Sequence, residues 1–145
     1  MSTPDSQDVV YIDFVSSSGN ETVRATLRRH LAPRTVSILK SHLEIEKELI
    51  TRAVPQKGEV GFPLRLGRVG TEKGRKEVKK GEVGFWVSSK LLMVFLEDKE
   101  TYSPVSILGS VEDISFFANL KRMATIRLRL VYVDFDGEEY IDVEG

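Results

Sequence analysis

Lys57-Gly58-Glu59-Val60-Gly61-Phe62 is repeated letter for letter as Lys80-Gly81-Glu82-Val83-Gly84-Phe85. Each copy has the make-up of a strand with a turn before it. The first glycine can take a left-handed backbone, and Val and Phe then favour an extended chain. The second glycine lets a neighbouring group or a bend come close. After the repeat the copies diverge, into Pro63-Leu64-Arg65 and Trp86-Val87-Ser88. Two copies are too few for a stacked repeat architecture. The expectation is two equivalent edges of one curved sheet, with Gly58 and Gly81 at turns.

Outward from the repeat, the pattern is strand after strand. Val9 to Val15 alternates, Ser16 to Asn20 is turn chemistry, and Thr22 to Leu27 continues as a second strand. Pro33 opens a segment in which Val36, Leu39, Lys40 and Leu43 fall at helical spacing, which predicts a helix over 33–44. Leu49 to Val54 reads as a strand stopped by Pro55. Leu91 to Leu96 is a continuous apolar run of strand length, so both its faces should be covered. Val105 to Val111 is a further strand. Asp113 can cap a short helix from Ile114 to Leu120. Thr125 to Leu130 alternates polar and apolar, as in a sheet with one wet face, and Asp136-Gly137 signals a hairpin turn. The absence of a βαβ rhythm points to a mainly β, antiparallel closed barrel capped by two short helices.

The chain of 145 residues suits one domain, over residues 9–133, between a polar start (1–8) and an acidic hairpin or tail (134–145). Without cysteine it has no thiolate chemistry and no disulfides. No signal-peptide pattern follows Met1 and no apolar run reaches membrane length, so a cytoplasmic location is expected, with no membrane partner. A charged fraction of 30% with few amides leans toward a heat-adapted, thermophilic source. Net charge is −1, yet Arg65 to Lys80 carries seven basic residues and Asp134 to Glu144 six acidic ones. Opposite blocks of this kind attract, within one molecule or between two, and the second case would make the tail a homodimer contact.

Taken in order, the elements resemble the cyclophilin fold. Leu31-Ala32-Pro33-Arg34-Thr35-Val36 looks like the cyclophilin Pro-Lys-Thr helix start, and Arg52-Ala53-Val54-Pro55 is similar to the segment that carries the catalytic arginine there. Gly81 to Trp86 and the apolar strand after it more closely resemble uncharacterised cyclophilin-like proteins of archaea and thermophilic bacteria. The resemblance implies a peptidyl-prolyl isomerase groove walled by Arg52, Phe62, Phe85 and Trp86, with Met93 and Phe95 as further candidates. The departures are larger than the matches. Lys90 to Phe95 stands where the groove strand has its glutamine, and Tyr102-Ser103-Pro104 stands where a tryptophan and a histidine are found.

Arg52 could stabilise a twisted proline amide, since a guanidinium offers fixed charge and planar donors. The plainer reading is an exposed arginine alternating on a strand. His30 and His42 have no third ligand nearby, so no metal is expected, and no cofactor is implied. The 65–80 segment contains no aromatic residue, which argues against nucleic acid and for a solvated loop. The first reading is therefore a non-catalytic module binding a peptide or small molecule in the former groove. A divergent prolyl isomerase using Arg52 is the second, and an interaction module using the 65–80 loop the third.

Overall fold

The structure is a computed structural model, and it describes residues 8–133 together with 139 and 140. β1 (Val9–Ser16) and β2 (Thr22–Arg28) form the opening hairpin. α1 (Pro33–Glu46) follows, then β3 (Glu48–Arg52), β4 (Val54–Gln56) and β5 (Glu59–Pro63). β6 (Arg75–Val78), β7 (Glu82–Trp86), β8 (Leu91–Phe95) and the long β9 (Lys99–Val111) come next. α2 (Ser115–Ala118), β10 (Thr125–Val133) and β11 (Glu139–Tyr140) close the order. Tyr132 pairs with Tyr140 as a hairpin requires, while the Asp136-Gly137 turn lies outside the described residues.

The sheet is antiparallel and runs β11-β10-β1-β2-β9-β7-β8-β5-β4, with β3 on β10 and β6 on β9 off this path. The ladder is not the closed ring expected. β4 ends the path, and it reaches β10 only through the chain, because β3 and β4 are joined at Ala53. There the peptide groups go elsewhere: Ala53 N–H donates to the Ala124 carbonyl at 2.9 Å and Met123 N–H to the Ala53 carbonyl at 2.8 Å. Pro55 does not stop the strand as expected. It pairs with Val60 inside β4 at the end of the path, where a residue without an N–H is tolerated.

The two hexapeptides are not edges either. They lie on opposite sides of β8 in identical register. Val60 and Val83 both pair with Val94, Gly61 and Gly84 with Met93, and Phe62 and Phe85 with Leu92. Gly58 and Gly81 stand at the turns before them with φ of 75° and 90°, as the spacing predicts.

Alternation along these strands builds two cores. The inner face sends Val60, Phe62, Val83, Phe85, Leu92 and Val94 into the main core. Helix α1 covers it with Val36, Leu39 and Leu43, and Phe117 of α2 stacks edge-on against Phe14 at 4.9 Å. Each such buried side chain contributes about 1.5–3 kcal/mol relative to exposure. The outer face of β7 and β8 is buried too. Met93 and Phe95 pack with Val78, Val105 and Ile107 from β6 and β9, so both faces of the 91–96 run are covered as expected. β9 serves both cores, Val105 and Ile107 facing the outer one and Leu108 the main one, and its register against β7 shifts at a bulge between Val83 and Gly84.

The opposite side of the sheet is wet. Across it Glu48 pairs with Arg129, Arg129 with Asp13 and Asp13 with Arg24, an alternating row of charge over four strands. Arg24 Nε lies 3.0 Å from Asp13, and Arg127 and Arg129 both hold Glu48, at 2.6 and 3.1 Å. Burial opposes ionisation of Glu48, but the hydrogen bonds from the two arginines prevail and hold its carboxyl below the ordinary value.

Candidate ligand cavity

After β5 the chain keeps its alternation for three residues. Leu64 and Leu66 turn into the main core, so Arg65 between them points out. The Leu64 N–H donates to the Lys90 carbonyl at 3.0 Å, tying this segment to the turn before β8. Gly67, at φ 81°, then redirects the chain, leaving Arg68 exposed and Val69 packed on the core. The expected solvated loop thus covers less than 65–80: its last part is β6, paired with β9.

The loop returns to the body of the protein at Glu72. Helix α1 begins at Pro33 after Ala32, a residue that cannot cap with its side chain. Glu72 does so from 37 positions away. Its carboxylate accepts from the Thr35 N–H at 2.7 Å, the Thr35 hydroxyl at 2.8 Å and the Arg34 N–H at 3.1 Å. Its own N–H donates to the buried Ser106 hydroxyl at 2.8 Å. Burial alone would raise the Glu72 pKa. The donors of Thr35 and Arg34, aided by the Arg34 charge, outweigh it and hold the carboxyl below its usual range.

Between this loop, the start of α1 and the end of β7 lies an open cavity of about 1060 Å³. Its apolar wall is Leu66, Val69, Phe85 and Val87. Around it stand Arg34, Arg65, Arg68 and Lys90, all exposed, with Glu72 as the lining carboxylate. Among the described residues none of these four cations is ion-paired. Elsewhere in the 65–80 segment, Arg75 meets Glu82 at 2.7 Å and Lys73 donates to the His30 carbonyl at 2.8 Å.

The groove expected from the sequence does not assemble. Phe62 is fully buried beside Phe14 and Phe117, and Phe85 lies on the same inner face, at 2% exposure. Trp86, Met93 and Phe95 project from the opposite face, with the Trp86 Nε1–H donating to Ser103 Oγ at 2.6 Å. The sheet itself separates the two sets. Arg52 is exposed on β3, its Nη1 donating to the Met123 carbonyl and Thr125 Oγ1, both at 3.3 Å. Of the six candidates only Phe85 reaches the cavity. Arg65 and Arg68 belong to the basic 65–80 segment read as a candidate interaction loop, and Leu64-Arg65-Leu66 is an apolar–cation–apolar triplet that throws a charge outward, but nothing local links them to Arg34 and Lys90.

His30 sits 2.7 Å from Asp8, and His42 is half-buried on α1. Among the described residues no cluster of three or more His, Cys, Asp or Glu is arranged to hold a metal ion. No helix among them is long and apolar enough to cross a membrane.

No protein-family model and no curated protein sequence matches the chain. Among solved structures it is similar to the hypothetical protein AF2241 from Archaeoglobus fulgidus, known from a solution structure. The TM-score is 0.66 at 16% identity, over 84% of this chain and 95% of that one. At that identity the likeness carries the fold alone.

Proposed function

We propose that this domain is a non-catalytic binding module of cyclophilin-like architecture, in which the bent strand 48–56 serves as the covalent closure of the barrel. Its ligand is a small molecule, held in the cavity over Phe85. The observation that carries this reading is the make-up of the wall: an apolar surface ringed by four cations, none of them in a salt bridge among the described residues, with Glu72 as the one lining carboxylate. A cavity that large with an apolar wall and a few convergent polar groups is the usual form of a ligand site. The isomerase reading has less behind it, because the Arg52 guanidinium is already engaged with Met123 and Thr125 on an exposed strand.

The test is a fluorescence titration with 1-anilinonaphthalene-8-sulfonate, an apolar ring system bearing one negative charge. Saturable binding is expected, weakened at least about tenfold by Val87→Asp and by Lys90→Glu with unchanged melting temperatures. Equal binding by the parent protein and both variants would place the probe elsewhere and end the proposal.

A further inference from the structure

We infer that the ligand of this cavity carries at least two negative charges, as phosphate or as paired carboxylates, on an apolar ring or chain; this rests on the cavity being the binding site. The cations come from three separate parts of the chain: Arg34 from the first turn of α1, Arg65 and Arg68 from the loop, Lys90 from the turn before β8. Charges of one sign brought around a single concavity repel each other, and a low-dielectric wall strengthens that repulsion. A ligand of opposite sign would relieve that repulsion. With Glu72 counted, a singly charged ligand still leaves two of the four uncompensated.

Among the described residues the cavity wall supplies one negative charge against these four positive ones. Glu72 is the one carboxylate among the lining residues, and its oxygens are occupied by Thr35 and Arg34 N–H groups at the start of α1. Three of the four cations are arginines, whose planar fork matches phosphate and carboxylate oxygens two at a time. The loop backbone is open as well, since a side chain built at Gly67 or Gly70 would meet nothing within 4 Å. Lys90 is held at φ 56°, a region costly for a residue with a side chain. Its carbonyl, bonded to Leu64, locks that turn against the loop that bears Arg65.

The remaining lining defines the rest of the ligand. Leu66, Val69, Phe85 and Val87 offer apolar surface that an inorganic anion would leave wet, and the volume exceeds what phosphate alone needs. Single-stranded nucleic acid fits less well. It calls for exposed aromatic platforms, and Tyr102, the exposed tyrosine among the described residues, lies outside this cavity.

Calorimetric titration of the full chain with benzoate, isophthalate, phenyl phosphate and a dT12 oligonucleotide tests this. Isophthalate or phenyl phosphate should bind at least about tenfold more tightly than benzoate, and more weakly as NaCl rises from about 50 to about 200 mM. Preference between those two identifies carboxylate or phosphate as the source of the charge. Arg65→Ala, Arg68→Ala and Lys90→Ala should each weaken that binding at least about fivefold without moving the melting temperature. Benzoate binding as tightly as isophthalate and phenyl phosphate would overturn the inference while leaving the cavity a ligand site. No binding of any probe, together with no anilinonaphthalene-sulfonate binding, would overturn both. Tighter binding of the oligonucleotide than of either ring compound would also overturn it.

Discussion

Glu72 and Thr35, 37 residues apart, are joined by two hydrogen bonds, at 2.7 Å to the backbone nitrogen and 2.8 Å to the hydroxyl. Through that pair the cavity loop and the first turn of α1 become one unit. A helix that starts after alanine has its N–H groups satisfied by a carboxylate from a distant segment, and the positive end of the helix favours that charge.

Stability should therefore depend on Glu72 ionisation. Its folded pKa lies below the ordinary 4.5, so its contribution is present above that value and is lost as pH falls through the folded one. Glu72→Gln should cost about 1 kcal/mol near neutrality, the usual worth of a helix cap. Below pH 4.5 the gap between parent and variant should close. Urea melts at several pH values, followed by Trp86 fluorescence, will read this; a gap that stays constant down to strong acid would disprove it.

The glycines differ in what surrounds them, and alanine substitutions should rank accordingly. A Cβ on Gly109 would lie 1.9 Å from the Thr26 carbonyl oxygen, a backbone atom of the neighbouring strand that cannot step aside. Gly109→Ala should cost about 3 kcal/mol or prevent folding. At Gly61 the nearest atoms are the tips of Met93 and Leu91 at 3.2 and 3.3 Å, so Gly61→Ala should cost about 1 kcal/mol or less. Gly81→Val, at φ 90°, should lose at least about 1 kcal/mol from backbone strain alone. Equal melting points for the Gly109 and Gly61 variants would contradict this account of the packing.

Lys99 and Glu59 form the most enclosed ion pair described, at 2.6 Å with side-chain exposures of 24% and 6%. Lys99→Met strands a buried carboxylate and should cost about 3 kcal/mol. Adding Glu59→Gln removes the stranded charge and should restore part of the loss. By contrast, Arg129→Ala at the wet end of the charge row should cost less than about 1 kcal/mol. A double-mutant cycle measures both; no recovery in the Glu59/Lys99 pair would mean that the charge is not what matters there.

As a test of the isomerase reading, cis–trans exchange of a standard proline tetrapeptide should not be accelerated, and Arg52→Ala should change neither that rate nor the melting point by more than experimental scatter. Acceleration abolished by Arg52→Ala would instead restore the isomerase reading.

What could be read in the sequence was whatever rests on local chemistry. Pro33 with Val36, Leu39 and Leu43 marked α1, and the glycines before the repeats marked turns. Asp113 stands just before the short helix, which is only Ser115–Ala118 with Ile114 at its N-cap, and its Oδ1 accepts from the Ser115 N–H and hydroxyl at 2.9 and 2.7 Å. β6 was hidden because Val78 is its one buried residue. The groove was misassigned because β8 is apolar on both faces, and nothing local says which face is inside. The cavity was hidden for another reason: its four cations span positions 34 to 90, and only the folded chain brings them together.

The matching registers on either side of β8 have a consequence for how the chain reaches this state. Early in folding, β8 meets two identical candidates for each of its edges, so side-chain identity over Val-Gly-Phe cannot choose between them. Chain length can. The second copy is joined to β8 by residues 87–90, a short connection that closes fast and cheaply, whereas the first copy is separated from it by residues 64–90. The order of assembly follows: the β7–β8 hairpin first, the first hexapeptide onto the edge left vacant afterwards. The duplication also makes each copy a stand-in for the other. A free peptide of residues 57–63, or the same strand from a second molecule, presents β8 with a competitor that matches the authentic partner atom for atom along the backbone. The ambiguity is broken only where the copies diverge, at Pro63 and Trp86, both paired with Leu91, so that one rung of the ladder keeps the two halves of the sheet distinct.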